Sequence, residues 1–172
     1  MRQRKKRLKP IRTKITDLLD TQGVPYRMLR HTEPVFTVEA AAAQRGEVEE
    51  EMVKAILLRE KAQPRRYVMA CLIGNARLDP KAVRAHLPED WKRLSFATAE
   101  EILEVTGYVQ GAVAPLCLPD DVPVIFDEAI TACFKVNISS GDLMAGLELA
   151  TQDLMRLARA QLASIAEGTD GS

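Results

Sequence analysis

Histidine and cysteine are scarce in this 172-residue chain: His31 and His86, and Cys71, Cys117 and Cys133. An odd number of widely separated cysteines in apolar surroundings excludes a disulfide framework and reads as reduced core thiols. With so few ligands and no metal-motif spacing, no metal and no cofactor is expected. No apolar run approaches the roughly 18–20 residues that span a bilayer, and no signal-peptide stretch follows the charged start. A cytoplasmic protein with no membrane partner is expected. Net charge is missing too, since 24 Lys and Arg face 24 Asp and Glu. What is present, 47% apolar and 28% charged residues, matches a folded globular chain of one domain and excludes wholesale disorder or a fibre.

The zero balance hides an asymmetry. Residues 1–14 hold eight cations, among them Arg4, Lys5, Lys6 and Arg7, and no acid, so residues 15–172 carry a formal charge of −8. The division expected is a basic N-terminal tail (1–14), a folded domain (15–166) and a flexible C-terminal tail (167–172). A basic run attracts polyanions, nucleic acid first, through counterion release. It serves equally as a solvated terminus.

Along the chain, Ile11, Ile15, Leu18 and Leu19 share a helical face that Gly23 and Pro25 close. Tyr26–His31 reads as a short strand, and a helix from Thr37 to Gly46 follows. Met52–Leu58 and Tyr67–Ile73 are apolar on both faces and read as neighbouring interior strands. Asp79-Pro80 opens a helix, Thr98 to Glu101 is a capping box, and Gly107 ends the helix that box begins. Gly107–Leu118, Val122–Asp127 and Cys133–Ser139 look strand-like. Thr151 starts a last helix with a stripe of Leu154, Leu157, Ala158, Leu162 and Ile165. Strict strand–helix alternation fails, so the expected fold is α+β, a mixed, partly barrel-like sheet flanked by helices.

Three places can carry chemistry. Lys54 interrupts an apolar strand, and a buried ammonium costs several kcal/mol unless it meets an anion or a wet cleft. It either holds a phosphate or ribose hydroxyl, or packs its stem and sends its head to solvent. Gly107–Pro115, with Gly111 and Pro115, offers a turn whose N–H donors approach a ligand; helix capping and a bulge explain it as well. Asn137–Asp142 is a polar turn whose hydroxyls line a pocket or satisfy local backbone. His31 is a structural histidine by default, and no catalytic triad is evident.

Taken in order, these pieces resemble the YbaK family, the aminoacyl-tRNA deacylases related to the editing domain of bacterial prolyl-tRNA synthetase. The residues that carry the resemblance are His31, Val53-Lys54-Ala55-Ile56-Leu57, Arg77-Leu78-Asp79, Ala99-Glu100-Glu101-Ile102, Gly107-Tyr108, the Gly111 to Pro115 spacing, Ser139-Ser140-Gly141 and Leu147-Glu148-Leu149. It spans about Ile15 to Ala158. Ala55-Ile56 stands where the family often has threonine-leucine, and Leu116-Cys117 where it usually has a small residue and glycine.

The resemblance implies a trans-acting deacylase that hydrolyses the ester of a mischarged tRNA, alanyl- or cysteinyl-tRNA among the candidates. It implies Lys54 and Gly111 as the catalytic pair, and His31, Pro115, Ser139 and Gly141 as substrate-binding residues. The tRNA 3′ end is the implied partner, with a synthetase as a second one and the tail residues Arg4, Lys5, Lys6 and Arg7 touching tRNA. On this reading the activated ester needs placement of water and stabilisation of the carbonyl oxygen rather than a strong base. The alternative is a noncatalytic RNA- or nucleotide-binding module, or a synthetase-interacting one, on the same fold.

Overall fold

A computed structural model of the protein describes residues 9–47 and 49–168; Arg4, Lys5, Lys6 and Arg7 lie outside the described residues. Three helices begin at the caps expected of them, at Thr37, Asp79 and Thr98, and the first begins at Thr13, which was not among those expectations. The Thr13 hydroxyl accepts from the Ile15 and Thr16 N–H groups at the start of α1 (Lys14–Thr21). Thr37 does the same for Ala40 at α2 (Val38–Arg45), which Gly46 closes at φ 67°. Asp79 caps α3 (Pro80–Ala85), and Thr98 with Glu101 forms the reciprocal box of α4 (Ala99–Thr106), closed by Gly107 at φ 75°. Such caps satisfy N–H groups that the helix itself leaves open. Thr13 also donates to the Ser140 carbonyl at 2.6 Å, so the folded part begins before the expected boundary at residue 15.

The strands are β1 (Arg27–Arg30), β2 (Val53–Glu60), β3 (Tyr67–Ile73), β4 (Leu94–Phe96), β5 (Val124–Asp127), β6 (Lys135–Asp142), β7 (Ala145–Ala150) and β8 (Gln161–Ala163), with α5 (Thr151–Ala158) before the last. They form two sheets, ordered β1-β7-β6 and β4-β2-β3-β5-β8. The mixed α+β architecture is the expected one, but the sheets do not close into a barrel. The larger core, with Ile15, Leu57, Phe126, Ile138, Leu147 and Leu154, lies where the two sheets face each other. A second core, with Leu58, Leu72, Val83, Trp91 and Ile165, fills the space between the other face of the five-stranded sheet and α3. Strands buried on both faces read as unbroken apolar runs, which is why β2 and β3 were visible as such.

Three expectations need correction. Gly107–Leu118 contains no strand: positive φ at Gly107, Gly111 and Cys117 breaks the alternation, and the Tyr108 hydroxyl pins the loop by donating to the Leu116 carbonyl at 2.5 Å. Asn137–Asp142 is not a terminal turn but all of β6 after its first two residues, and β6 pairs with β7. The last helix stops at Ala158 because Arg159 turns left-handed at φ 50°; Leu162 then belongs to β8, parallel to β5, and Ile165 drops into the second core. Cys71 is buried as expected, whereas Cys117 and Cys133 are only half-buried.

Candidate functional site

Where β4 ends, β2 loses its partner on one side, and a cavity of about 370 Å³ opens there. The pairing of β2 with β4 begins only at Leu58, preceded by a hydrogen bond from Ala97 N–H to the Leu57 carbonyl at 3.0 Å. Residues of one parity on a strand turn their backbone groups to the same side. The N–H and C=O of Ala55 therefore face the cavity, with no strand beside them among the described residues. An unpaired strand edge is a template for hydrogen bonds to another chain or ligand.

Lys54, Gly111 and Ser139 meet at this cavity. Lys54 is half-buried, and its Nζ donates to the Ala76 carbonyl. Burial lowers its pKa, with Glu39 acting against and Arg77 in favour of that shift. An ammonium with two hydrogens left over and its charge unmatched by any carboxylate at ion-pair distance, among the described residues, is poised for an anion or a hydroxyl.

Gly111 sits at φ 93°, and a Cβ there would stand 3.0 Å from Phe36 Cδ1 and 3.2 Å from Leu143 Cδ2. The left-handed backbone favours glycine, and the crowding by Phe36 and Leu143 favours it further. In the turn it makes, Ala112 N–H is taken by the Val109 carbonyl at 3.0 Å, while no described residue accepts from Gly111 N–H or Val113 N–H. Both residues line the cavity.

Beneath α2 lies a polar layer that the sequence did not reveal. Arg45 Nε donates to His31 Nε2 at 3.0 Å, and His31 Nδ1 lies 2.9 Å from the Leu143 carbonyl. Since arginine only donates, the histidine proton belongs on Nδ1 and the ring is neutral. Burial is the main cause that lowers the His31 pKa. Arg45 lines the cavity, and its guanidinium lies against Gly146, where a Cβ would collide with it. Burial pushes its pKa down to about 10, and none of the described carboxylates forms an ion pair with it. Asn137, two residues before Ser139 on the same face of β6 and bridged to Met52, is wholly buried with both side-chain polar atoms unpartnered among the described residues. The one sequence signal was Gly146, a glycine inside a strand, which marks a close approach.

The remaining candidates fall elsewhere. His31 is buried behind Arg45 and orients it rather than facing the cavity. Pro115 lines a separate depression with Leu116, Cys117 and Pro123, because the loop turns away after Ala114. Gly141 lies under α1, where its added Cβ would meet Tyr108 Cε1 at 3.3 Å and Ile15 Cδ1 at 3.6 Å. Cys117, in that same separate depression, does not fill the cavity.

Comparison with known proteins bears on this arrangement. A sequence model of the aminoacyl-tRNA editing domain matches residues 32–157. The multifunctional Ser/Thr-tRNA deacylase ProXp-y of Escherichia coli K12 is 27% identical over 147 residues, 84% of this chain and 86% of that protein. A proline–tRNA ligase of Kosmotoga olearia is 33% identical over 108 residues, 63% of this chain but 18% of the ligase. Among solved structures, a hypothetical protein superposes with a TM-score of 0.80 at 28% identity, covering 90% of this chain and all of that one. A candidate trans-editing enzyme for prolyl-tRNA synthetase superposes with a TM-score of 0.77 at 24% identity, covering 90% and 95%, which supports the fold.

Proposed function

The chain belongs to the aminoacyl-tRNA editing domain family, and from that premise we propose that it is a deacylase acting in trans on mischarged tRNA. The observation that carries this reading is the convergence on one cavity of Lys54, the open edge at Ala55, and Gly111 and Val113, whose N–H groups have no acceptor among the described residues. Lys54 holds the terminal nucleotide through a phosphate or ribose hydroxyl. The two N–H groups receive the charge that develops on the ester carbonyl oxygen. Water adds to the carbonyl carbon and the bond to the ribose oxygen breaks; one proton of the water ends on that oxygen, the other passes to solvent, and the amino acid leaves as a carboxylate. The vicinal ribose hydroxyl helps to activate the water.

The polar floor bears on which amino acid is removed. Arg45 and Ser139 give hydrogen-bonding groups at the cavity wall, and a site built to bond a hydroxyl discriminates against an analogue that lacks it. Small side chains with a hydroxyl, the class named for the E. coli relative, therefore stand ahead of alanine and cysteine. The noncatalytic alternative loses its main support, because Cys117 leaves the cavity open.

A panel of seryl-, threonyl-, alanyl- and cysteinyl-tRNAs, incubated with the wild-type protein and with Lys54→Ala, tests the reading. Rapid hydrolysis of at least one ester and its loss in the variant are expected. No hydrolysis of any member by the wild type would end the enzyme assignment, and full activity of the variant would remove Lys54 from the mechanism.

A further inference from the structure

We propose that the groove next to the ester cavity, between α3 and β4, is the track for the single-stranded 3′ end of tRNA, with Phe96 as the platform on which an unpaired base stacks. This rests on the deacylase reading and adds to it a surface that recognises the carrier. Phe96 is 55% exposed and lines both the ester cavity and a neighbouring groove of about 800 Å³. Phe96 takes part in neither of the two larger buried cores, and its exposed half is open to a ligand at the junction of the two concavities.

The register fixes the path between them. Phe96 stands opposite Leu58, and Leu58, Ile56 and Lys54 share one face of β2. At about 3.3 Å per residue the Lys54 position lies roughly 13 Å from that of Phe96 along the strand, a span that a short unpaired end can cross. Beyond Phe96 the groove presents Lys61, Lys81, Arg84 and Arg93 against two carboxylates, Asp79 and Glu89. Asp79 already accepts from Lys81 N–H as the cap of α3. The body of the chain is acidic overall, so a cationic groove leading from the ester cavity stands out as charge-complementary to a sugar–phosphate backbone. An aromatic platform beside a basic groove is the arrangement that binds single strands without reading their sequence.

The test uses a fluorescently labelled single-stranded RNA ending in CCA, with binding followed by anisotropy over a range of salt. Phe96→Ala is expected to weaken binding at least about fivefold. Replacing Lys61, Lys81 and Arg93 together by alanine is expected to flatten the slope of log affinity against log salt by about 2. All four side chains are exposed, and thermal melts of the variants confirm folding. Hydrolysis of aminoacyl-adenosine esters, too short to enter the groove, should be unchanged when Lys61, Lys81 and Arg93 are replaced, since none of the three lines the ester cavity. RNA binding that ignores both sets of substitutions overturns the proposal and leaves the groove to a protein partner. Wild-type protein that binds the RNA through Phe96 yet hydrolyses no ester instead sinks the deacylase reading while the track stands.

Discussion

Arg45→Met separates a guanidinium kept for a substrate from one kept for the fold. In the wild type the charge is held under α2 with one ring nitrogen as its strong acceptor, at 3.0 Å, and the Met52 sulfur at 3.7 Å from Nη1. Burial brings its pKa down to about 10; at about 1.4 kcal/mol per pH unit, the site disfavours the charged form by about 3 kcal/mol. Methionine keeps the length and the apolar stem while removing that penalty. It also strips His31 Nε2 of its donor, which costs about 1–3 kcal/mol if no water replaces it. The two effects nearly cancel, so the variant should unfold in denaturant at a midpoint equal to or above that of the wild type. Single-turnover deacylation, by contrast, should fall about 10- to 100-fold, the worth of a hydrogen bond from a charged donor. A variant that loses more than about 2 kcal/mol of stability and still hydrolyses the ester at the normal rate would refute this reasoning and make Arg45 a strut between α2 and β7.

Gly111→Ala should cost about 1–2 kcal/mol of stability through its left-handed backbone and lower the deacylation rate, because the methyl displaces Phe36 or the turn that aims the two N–H groups; a melt and a rate measured on the same sample check both. Glu60, buried and held by Arg66 Nε at 2.6 Å and by the Lys92 N–H at 2.8 Å, has its pKa lowered to about 2, first by the Arg66 hydrogen bond. A carboxyl whose folded pKa is depressed contributes stability above the ordinary carboxylate range and loses it as pH falls toward 2. Glu60→Gln should therefore be clearly less stable than the wild type at pH 7, with the gap closing in denaturant melts below pH 3; a gap independent of pH would contradict the ion-pair account. Deleting residues 1–8, which removes five cations and spares the Thr13 cap, should weaken tRNA binding and flatten its salt slope by up to about 4. Equal binding at low salt would rule out a contribution from that segment.

The parts legible in the sequence are those where one residue type settles local geometry. Thr37, Asp79 and Thr98 cap helices, Gly46 and Gly107 end them, and the apolar runs of β2 and β3 pair in the expected order. Lys54 stood out because a charge inside an apolar run has few tolerable surroundings, and Gly111 because the turn it makes admits little else. Pro115 and Gly141 were misplaced for the opposite reason: proline and glycine fit many backgrounds, so their presence near a functional residue says nothing about which way the chain turns next. Arg45 was invisible, and Asn137 was seen only as the start of a polar turn, since their meaning depends on two sheets and a helix meeting, and no local pattern reports that. Their cost is what gives them meaning now. A wholly buried amide with no partner, and a guanidinium with no carboxylate, among the described residues are each unfavourable by more than a kcal/mol in an otherwise well-packed domain. A fold that only needed stability would fill those positions with apolar side chains, so the polar layer beneath α2 belongs to what the cavity holds.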